Sequence, residues 1–230
     1  MKYKAVFFDL DHTLWDYETN SRETLNEMFE RHGLAQRGVP NADAFANVFG
    51  RINDHLWYRF DRGLITSETI RKERFITILR AFGIDDPDLA SRLSEDYLHA
   101  CPRRCNLMPH AIDTLQYLSD RYALTVVTNG FDEIQKVKLT SGNLLNYFDH
   151  IVTSQKAGCR KPAREIFEYA LRSNAVRAHE ALMVGDNLIT DIGGAYNASI
   201  DTAFFNPGGT RHDTPVNYEI SSLIELCSIL

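Results

Sequence analysis

Four short stretches of the 230-residue sequence end an apolar run in residues able to do chemistry. The first is AVFF followed by Asp9-Leu10-Asp11-His12-Thr13, and the second is VVT followed by Asn129-Gly130, with Thr128 closing the apolar run. The third is SQKAGCRKPAREIF, in which Lys161 stands just ahead of Pro162 and a helical pattern. The fourth is ALMVG followed by Asp186-Asn187, with Asp191 further along. Acids at the end of a buried strand are costly unless a partner neutralises them. Three carboxylates brought to one point, Asp9, Asp11 and Asp186, repel one another unless a cation lies among them. Hard oxygen donors in that number suit Mg²⁺, which binds few carboxylates and keeps waters and phosphate oxygens. Lys161, Thr128 and the amides of a helix N-terminus suit an anion beside that metal. A metal, an anion site and a spare carboxylate together point to phosphoryl transfer.

The elements that must position these residues are legible in the hydrophobic rhythm. Residues 3–8 read as a buried strand, rich in aromatic and β-branched side chains. From about residue 17 to residue 100 only helices are expected, the first with Ser21 as its N-cap, each closed by Gly or turn residues. After CPRRC the pattern alternates: strands at ALTVVTN, FDHIVTS, EALMVGD and IDTAFF are interleaved with helices, the last being SSLIELCSIL. Such alternation predicts an α/β fold, a doubly wound parallel sheet covered on both faces. The first strand joins that sheet, so residues 1–16 and 101–230 form the core, and residues 17–100 an inserted helical domain. In open parallel sheets ligands bind beyond the carboxyl ends of the strands, where all four stretches lie.

Composition narrows the function from the other side. The net charge is −6, from 25 basic and 31 acidic residues, which argues against nucleic acid as a partner. No stretch reaches the roughly 18 apolar residues of a membrane span, and the acids near the N-terminus do not fit a signal peptide. Four cysteines in a chain of this size do not make a disulfide framework, which predicts a cytoplasmic setting.

FFDLDHTLW, VVTNG, GCRKPAREIF and VGDNLITDIGGAYNA resemble, in order, the four motifs of the haloacid dehalogenase superfamily. RKPAREIFEYAL, GDNLITDIGGAYNASIDTAFFNPGG and RGLITSETIRKERF are further similar to the YjjG-type pyrimidine nucleotidases. The resemblance implies a Rossmann-like core with the helical insertion as a cap. It implies Asp9 as the nucleophile that forms an aspartyl-phosphate, and Asp11 as general acid and then base. Mg²⁺ would be held by Asp9, Asp186 and the Asp11 carbonyl, with Asp191 behind the metal shell. Thr128 and Lys161 would hold the phosphoryl oxygens, and Asn129 and Gly130 would supply amides. The expected ligand is a small phosphorylated metabolite, a nucleoside 5′-monophosphate, and the expected assembly a monomer or homodimer.

Taken singly, each motif has a plainer explanation: DLDHT an Asx-type turn, TNG a common turn, Lys-Pro a solvated charge before a helix, GDNLITD a capped helix. Their order and their shared position at strand ends favour the catalytic account. His12 is assigned no role. Trp15, Trp57, Tyr58 and Phe60 are read as core aromatics before base-stacking ones, Cys101 and Cys105 as free thiols, and Arg103 and Arg104 as solvated. Alternatives within the superfamily are a sugar-phosphate phosphatase and a hexose-phosphate mutase. Asp11 disfavours a dehalogenase, and Lys72 gives no sign of being a Schiff-base lysine. A catalytically silent sensor of a phosphorylated ligand is the alternative from another class.

Overall fold

The computed structural model describes residues 2–230, which divide into two compact units. One comprises the N-terminal segment through Tyr17 together with Cys105–Leu230, and the other Glu18–Arg104.

The first unit is built on a sheet of six parallel strands: β1 (Ala5–Phe8), β2 (Ala123–Thr128), β3 (His150–Thr153), β4 (Ala181–Gly185), β5 (Asp201–Phe205) and β6 (Tyr218–Ile220). Their order is β3-β2-β1-β4-β5-β6. β1 is central, with Phe8 opposite Val126 of β2 on one side and Val184 of β4 on the other. Because both faces of such a sheet are covered, β1 and β4 are apolar and buried at every position. This order reverses direction between β1 and β4, the kind of switch point at which doubly wound sheets bind ligands.

Three details of this unit depart from the sequence reading. β6 was not foreseen, since Tyr218-Glu219-Ile220 is too short and mixed to show a period. The stretch after β4, read as one helix, is a π-helix over Leu188–Gly193 followed by a short α-helix, Gly194–Asn197. Similarly, SSLIELCSIL forms a 3₁₀ turn, Leu223–Glu225, before Leu226–Ile229.

The second unit contains four helices: α1 (Tyr17–Arg31, beginning one residue before the unit), α2 (Ala42–Asp61), α3 (Ser67–Ala81) and α4 (Pro87–Ala100). Side-chain caps start three of them: Asn41 accepts from the Ala44 amide at 2.8 Å, Thr66 from Thr69 at 3.3 Å and Asp86 from Leu89 at 2.9 Å. Ser21, expected as a cap, lies inside α1 instead, buried, with its hydroxyl 3.0 Å from that of Tyr97. Helix α4 runs on into a 3₁₀ turn, Cys101–Arg103, so the chain leaves the unit after Arg104. The core gathers Leu25, Met28, Phe45, Phe49, Phe75, Ile78 and Leu93. Within it the Arg74 guanidinium is buried, 4.7 Å from the Tyr97 ring centroid and bonded to Asn53 Oδ1 at 3.1 Å.

No helix among the described residues is long and apolar enough to cross a membrane.

Candidate active site

The chain leaving β1 is pinned at once. The Asp9 amide donates to Val184 O at 2.9 Å, extending the pairing with β4 by one residue. The amides of Leu14 and Trp15 then both donate to Leu10 O at 2.9 Å, folding residues 10–15 into a tight turn. His12 closes it in the left-handed region, with φ 64°. That conformation costs a non-glycine residue of order 1 kcal/mol and persists where surrounding bonds fix it. Thr13 supplies one such bond, its hydroxyl donating to Asp186 Oδ1 at 2.7 Å and so tying the β1 turn to the end of β4.

Lys161 stands between two of the acids. Its Nζ lies 2.7 Å from Asp9 Oδ1 and 2.6 Å from Asp191 Oδ1, and both Lys161 and Asp191 are buried. The backbone carrying Lys161 is gripped by the Asn129 side chain, which accepts from the Lys161 amide at 2.8 Å and donates to its carbonyl at 3.0 Å. Asp191 Oδ2 in turn accepts from the Asn187 amide at 3.1 Å. A Cβ at position 185 would lie 2.4 Å from that oxygen, so only glycine lets the carboxylate pack against the end of β4.

The electrostatics of the cluster follow from this crowding. Burial pushes the Asp9 carboxyl up to about 7, against the pull of Lys161 and with the help of the Asp191 charge. Burial and the charge of Asp9 push Asp186 up to about 6. Asp191 is raised by burial too, though Lys161 opposes the shift. For Lys161 burial works against the charge, but Asp191 and Asp9 outweigh it and hold the ammonium above its usual range.

Asp11 faces different partners. Its Oδ1 is 2.5 Å from Lys138 Nζ, and its Oδ2 accepts from Gln135 Nε2 at 3.3 Å. Both come from the helix after β2, α6 (Asp132–Ser141), numbered after α5 (Ala111–Ser119). Sequence reasoning missed them. The signal was IQKVKL, where Gln135 and Lys138 share a helix face three residues apart and Lys138 sits between the apolar residues Val137 and Leu139. Thr128, the last residue of β2, accepts from the Gly130 amide at 3.0 Å through its own hydroxyl oxygen. That amide, expected to face an anion, is engaged within the loop.

The aromatic candidates separate. Trp15 and Phe60 are fully or nearly buried and belong to the cores of their units, whereas Tyr58 is exposed with the Arg62 guanidinium 3.5 Å from its ring centroid. Arg104, read as solvated, forms an ion pair with Glu27. All four cysteines are free thiols.

The donor set fits a divalent cation. Oxygens of Asp9, Asp186 and Asp191 lie within 4.8 Å of one another. No hydrogen bond reaches Oδ2 of Asp9 or Oδ2 of Asp186 among the described residues, so each has an oxygen to offer. Both oxygens of Asp191 are engaged by Lys161 and Asn187, which places it behind the cluster. Four carboxylates, Asp9, Asp11, Asp186 and Asp191, meet two lysines, Lys138 and Lys161, leaving an excess of negative charge that a dication would balance.

A parallel sheet in this order, with acids clustered at the ends of β1 and β4, is a Rossmann-like α/β core. The sequence profile of the family described as haloacid dehalogenase-like hydrolase matches residues 6–205, and the chain belongs to that family. It is similar to the pyrimidine 5′-nucleotidase YjjG of Escherichia coli, 30% identical over 100% of this chain and 99% of the relative. It is also similar to the ribulose-1,5-bisphosphate 5-phosphatase of Halopiger xanaduensis, 31% identical over 88% of this chain and 84% of the relative. Among solved structures, the HAD-hydrolase YfnB of Bacillus subtilis, described as bound to magnesium, superposes with a TM-score of 0.89 at 28% identity, covering 100% of this chain and 99% of the other.

Proposed function

We propose that the protein hydrolyses a phosphate monoester, a nucleoside 5′-monophosphate, with Mg²⁺ as cofactor and through an aspartyl-phosphate on Asp9. The observation that carries this reading is the convergence of Asp9, Asp186 and Asp191 within 4.8 Å, with Lys161 bonded to two of them. Asp9 and Asp186, with the Asp11 carbonyl, would hold the metal. Bound Mg²⁺ would offset the carboxylate charge and stabilise the charge that builds on the phosphoryl oxygens.

In the first step an Asp9 carboxylate oxygen attacks phosphorus. The bond from phosphorus to the ester oxygen breaks, and Asp11 gives its proton to the departing oxygen. In the second, water attacks the aspartyl-phosphate. Asp11 takes the water's proton, phosphate leaves and the Asp9 carboxylate is restored. Lys161, fixed by Asn129 and Asp191, carries a permanent positive charge beside the phosphoryl group, with the Thr128 hydroxyl as a second donor. The helical unit is proposed to act as a cap that selects the substrate, because these acids and lysines all belong to the other unit.

The likeness to YjjG supports a nucleotide and the magnesium-bound YfnB structure supports the cofactor. The likeness to a sugar-bisphosphate phosphatase favours a sugar phosphate as the second reading. Four free thiols support a reducing, cytoplasmic compartment. The test is phosphate release from a panel of nucleotides, sugar phosphates and p-nitrophenyl phosphate, with Mg²⁺ and with excess chelator. Turnover on nucleotides that chelator abolishes and Mg²⁺ restores supports the proposal. Inactivity on every ester overturns it.

A further inference from the structure

The two acids of the β1 turn are served by two different lysines. Lys161 binds Asp9 and also Asp191, whereas Lys138 binds Asp11. Lys138 is 5% exposed, and its ammonium lies 4.4 Å from the Trp15 ring centroid and 5.8 Å from that of Tyr17. Trp15 is fully buried, so the cation is confined between a fixed aromatic face and the carboxylate. One helical turn earlier, Gln135 is 1% exposed and gives its amide to the other Asp11 oxygen. Room for Gln135 comes from Gly130, where a Cβ would lie 1.6 Å from Gln135 Nε2.

We propose that Lys138, with Gln135, is a positioning residue for Asp11, holding its carboxyl in one orientation through both half-reactions. The inference rests on the phosphatase reading above and adds to it. An acid that protonates a leaving oxygen and then deprotonates a water must present its carboxyl at one place twice. The Asp11 side chain is 26% exposed and sits on a turn, where two free torsions would let it swing. One donor on each oxygen, both from one helix, removes that freedom. Misplacing a catalytic group by about 1 Å costs on the order of 10²-fold in rate.

The test is a double-mutant cycle in the full-length enzyme with Mg²⁺. Lys138→Met keeps the apolar stem and removes the ammonium, and is expected to lower kcat for a nucleotide about 10- to 100-fold with KM little changed. The pre-steady-state burst from p-nitrophenyl phosphate, whose leaving group needs no proton, is expected to fall less than about 3-fold. In an Asp11→Asn background, Lys138→Met is expected to cost almost nothing more, since its effect passes through Asp11. Lys138→Arg, which keeps a cation, should recover part of the loss. Gln135→Met gives a second, milder route to the same pattern if Lys138→Met does not fold. Equal losses for both esters, or losses that multiply with Asp11→Asn, would overturn the positioning role while leaving the phosphatase reading intact. A wild-type enzyme inactive on every ester would instead overturn the underlying reading, and the inference with it.

Discussion

Asp191 and Lys161 form a buried ion pair, Oδ1 to Nζ 2.6 Å, in which the acid has no exposure and the lysine almost none. Removing Asp191 takes from the buried ammonium one of its two carboxylate partners, Asp9 being the other. Asp191→Ala is therefore expected to cost about 1.5–3 kcal/mol, a fall of about 3 °C or more in Tm. Because Lys161 would then lean on Asp9 alone, phosphate release should also fall, by about 10- to 100-fold. Thermal unfolding and steady-state assays on the same preparation check both. An unchanged Tm would show that the pair carries no stability.

If the proposed magnesium is held by the raised carboxyls, it competes there with protons. Asp9 at about 7 and Asp186 at about 6 lie above the unfolded carboxylate value of about 4. The metal-free folded protein thus holds protons that the unfolded chain has released, and the stability from these groups falls as pH rises through about 4 to 7. A dication supplies the missing positive charge above that window. The rise in Tm on adding Mg²⁺ is expected to be larger at about pH 7.5 than at about pH 5. Equal rises at the two pH values would contradict a cation held by Asp9 and Asp186.

Asp11→Asn separates a proton donor from a mere neighbour of the metal. The substitution keeps the shape and the backbone carbonyl, so Mg²⁺ affinity should survive. Nucleotide turnover is expected to fall about 10²- to 10⁴-fold, the usual worth of a positioned acid, while a burst of p-nitrophenol persists. Rapid-quench kinetics on the two esters decides. An equal collapse of both first steps would exclude the acid role.

In the helical unit, Asn53→Ala removes the bond from Arg74 Nη1, while Nε and Nη2 already have no partner. With the guanidinium buried against Phe49, Phe75 and Tyr97, stranding it further is expected to cost about 1–3 kcal/mol. A chemical denaturation series would show a lower midpoint at an unchanged slope. No change in midpoint would mean that the three rings alone satisfy the cation.

The strands of the sheet were legible because buried parallel strands leave unbroken apolar runs, as at AVFF and ALMVG. Asp9, Asp11 and Asp186 were legible because charge directly after such a run is rarely without cause. What stayed hidden was set by contacts remote in the chain. Lys138 reads as an ordinary surface lysine until its helix brings it to Asp11, 127 residues away. Gly130 reads as a turn former, and its packing role appears only with Gln135 crossing over it. The π-helix after β4 keeps the composition of an α-helix, and LITDIG carries no residue that announces the wider i→i+5 bonding.

The place of β1 in the sheet bears on how the protein is made. Ala5 pairs with Ala123 and with Ala181, so β1, once synthesised, has no neighbour in the sheet until more than a hundred further residues have followed. Between them come the four helices, which make up a compact unit of their own. The nascent chain therefore carries an apolar strand, AVFF, through the synthesis of the whole helical unit. Contacts of such long sequence separation form slowly. The acids that follow AVFF keep this waiting segment charged at one end, as gatekeepers beside an aggregation-prone strand do. The two acids proposed to carry the chemistry thus also lie where they keep the waiting strand charged until β4 arrives.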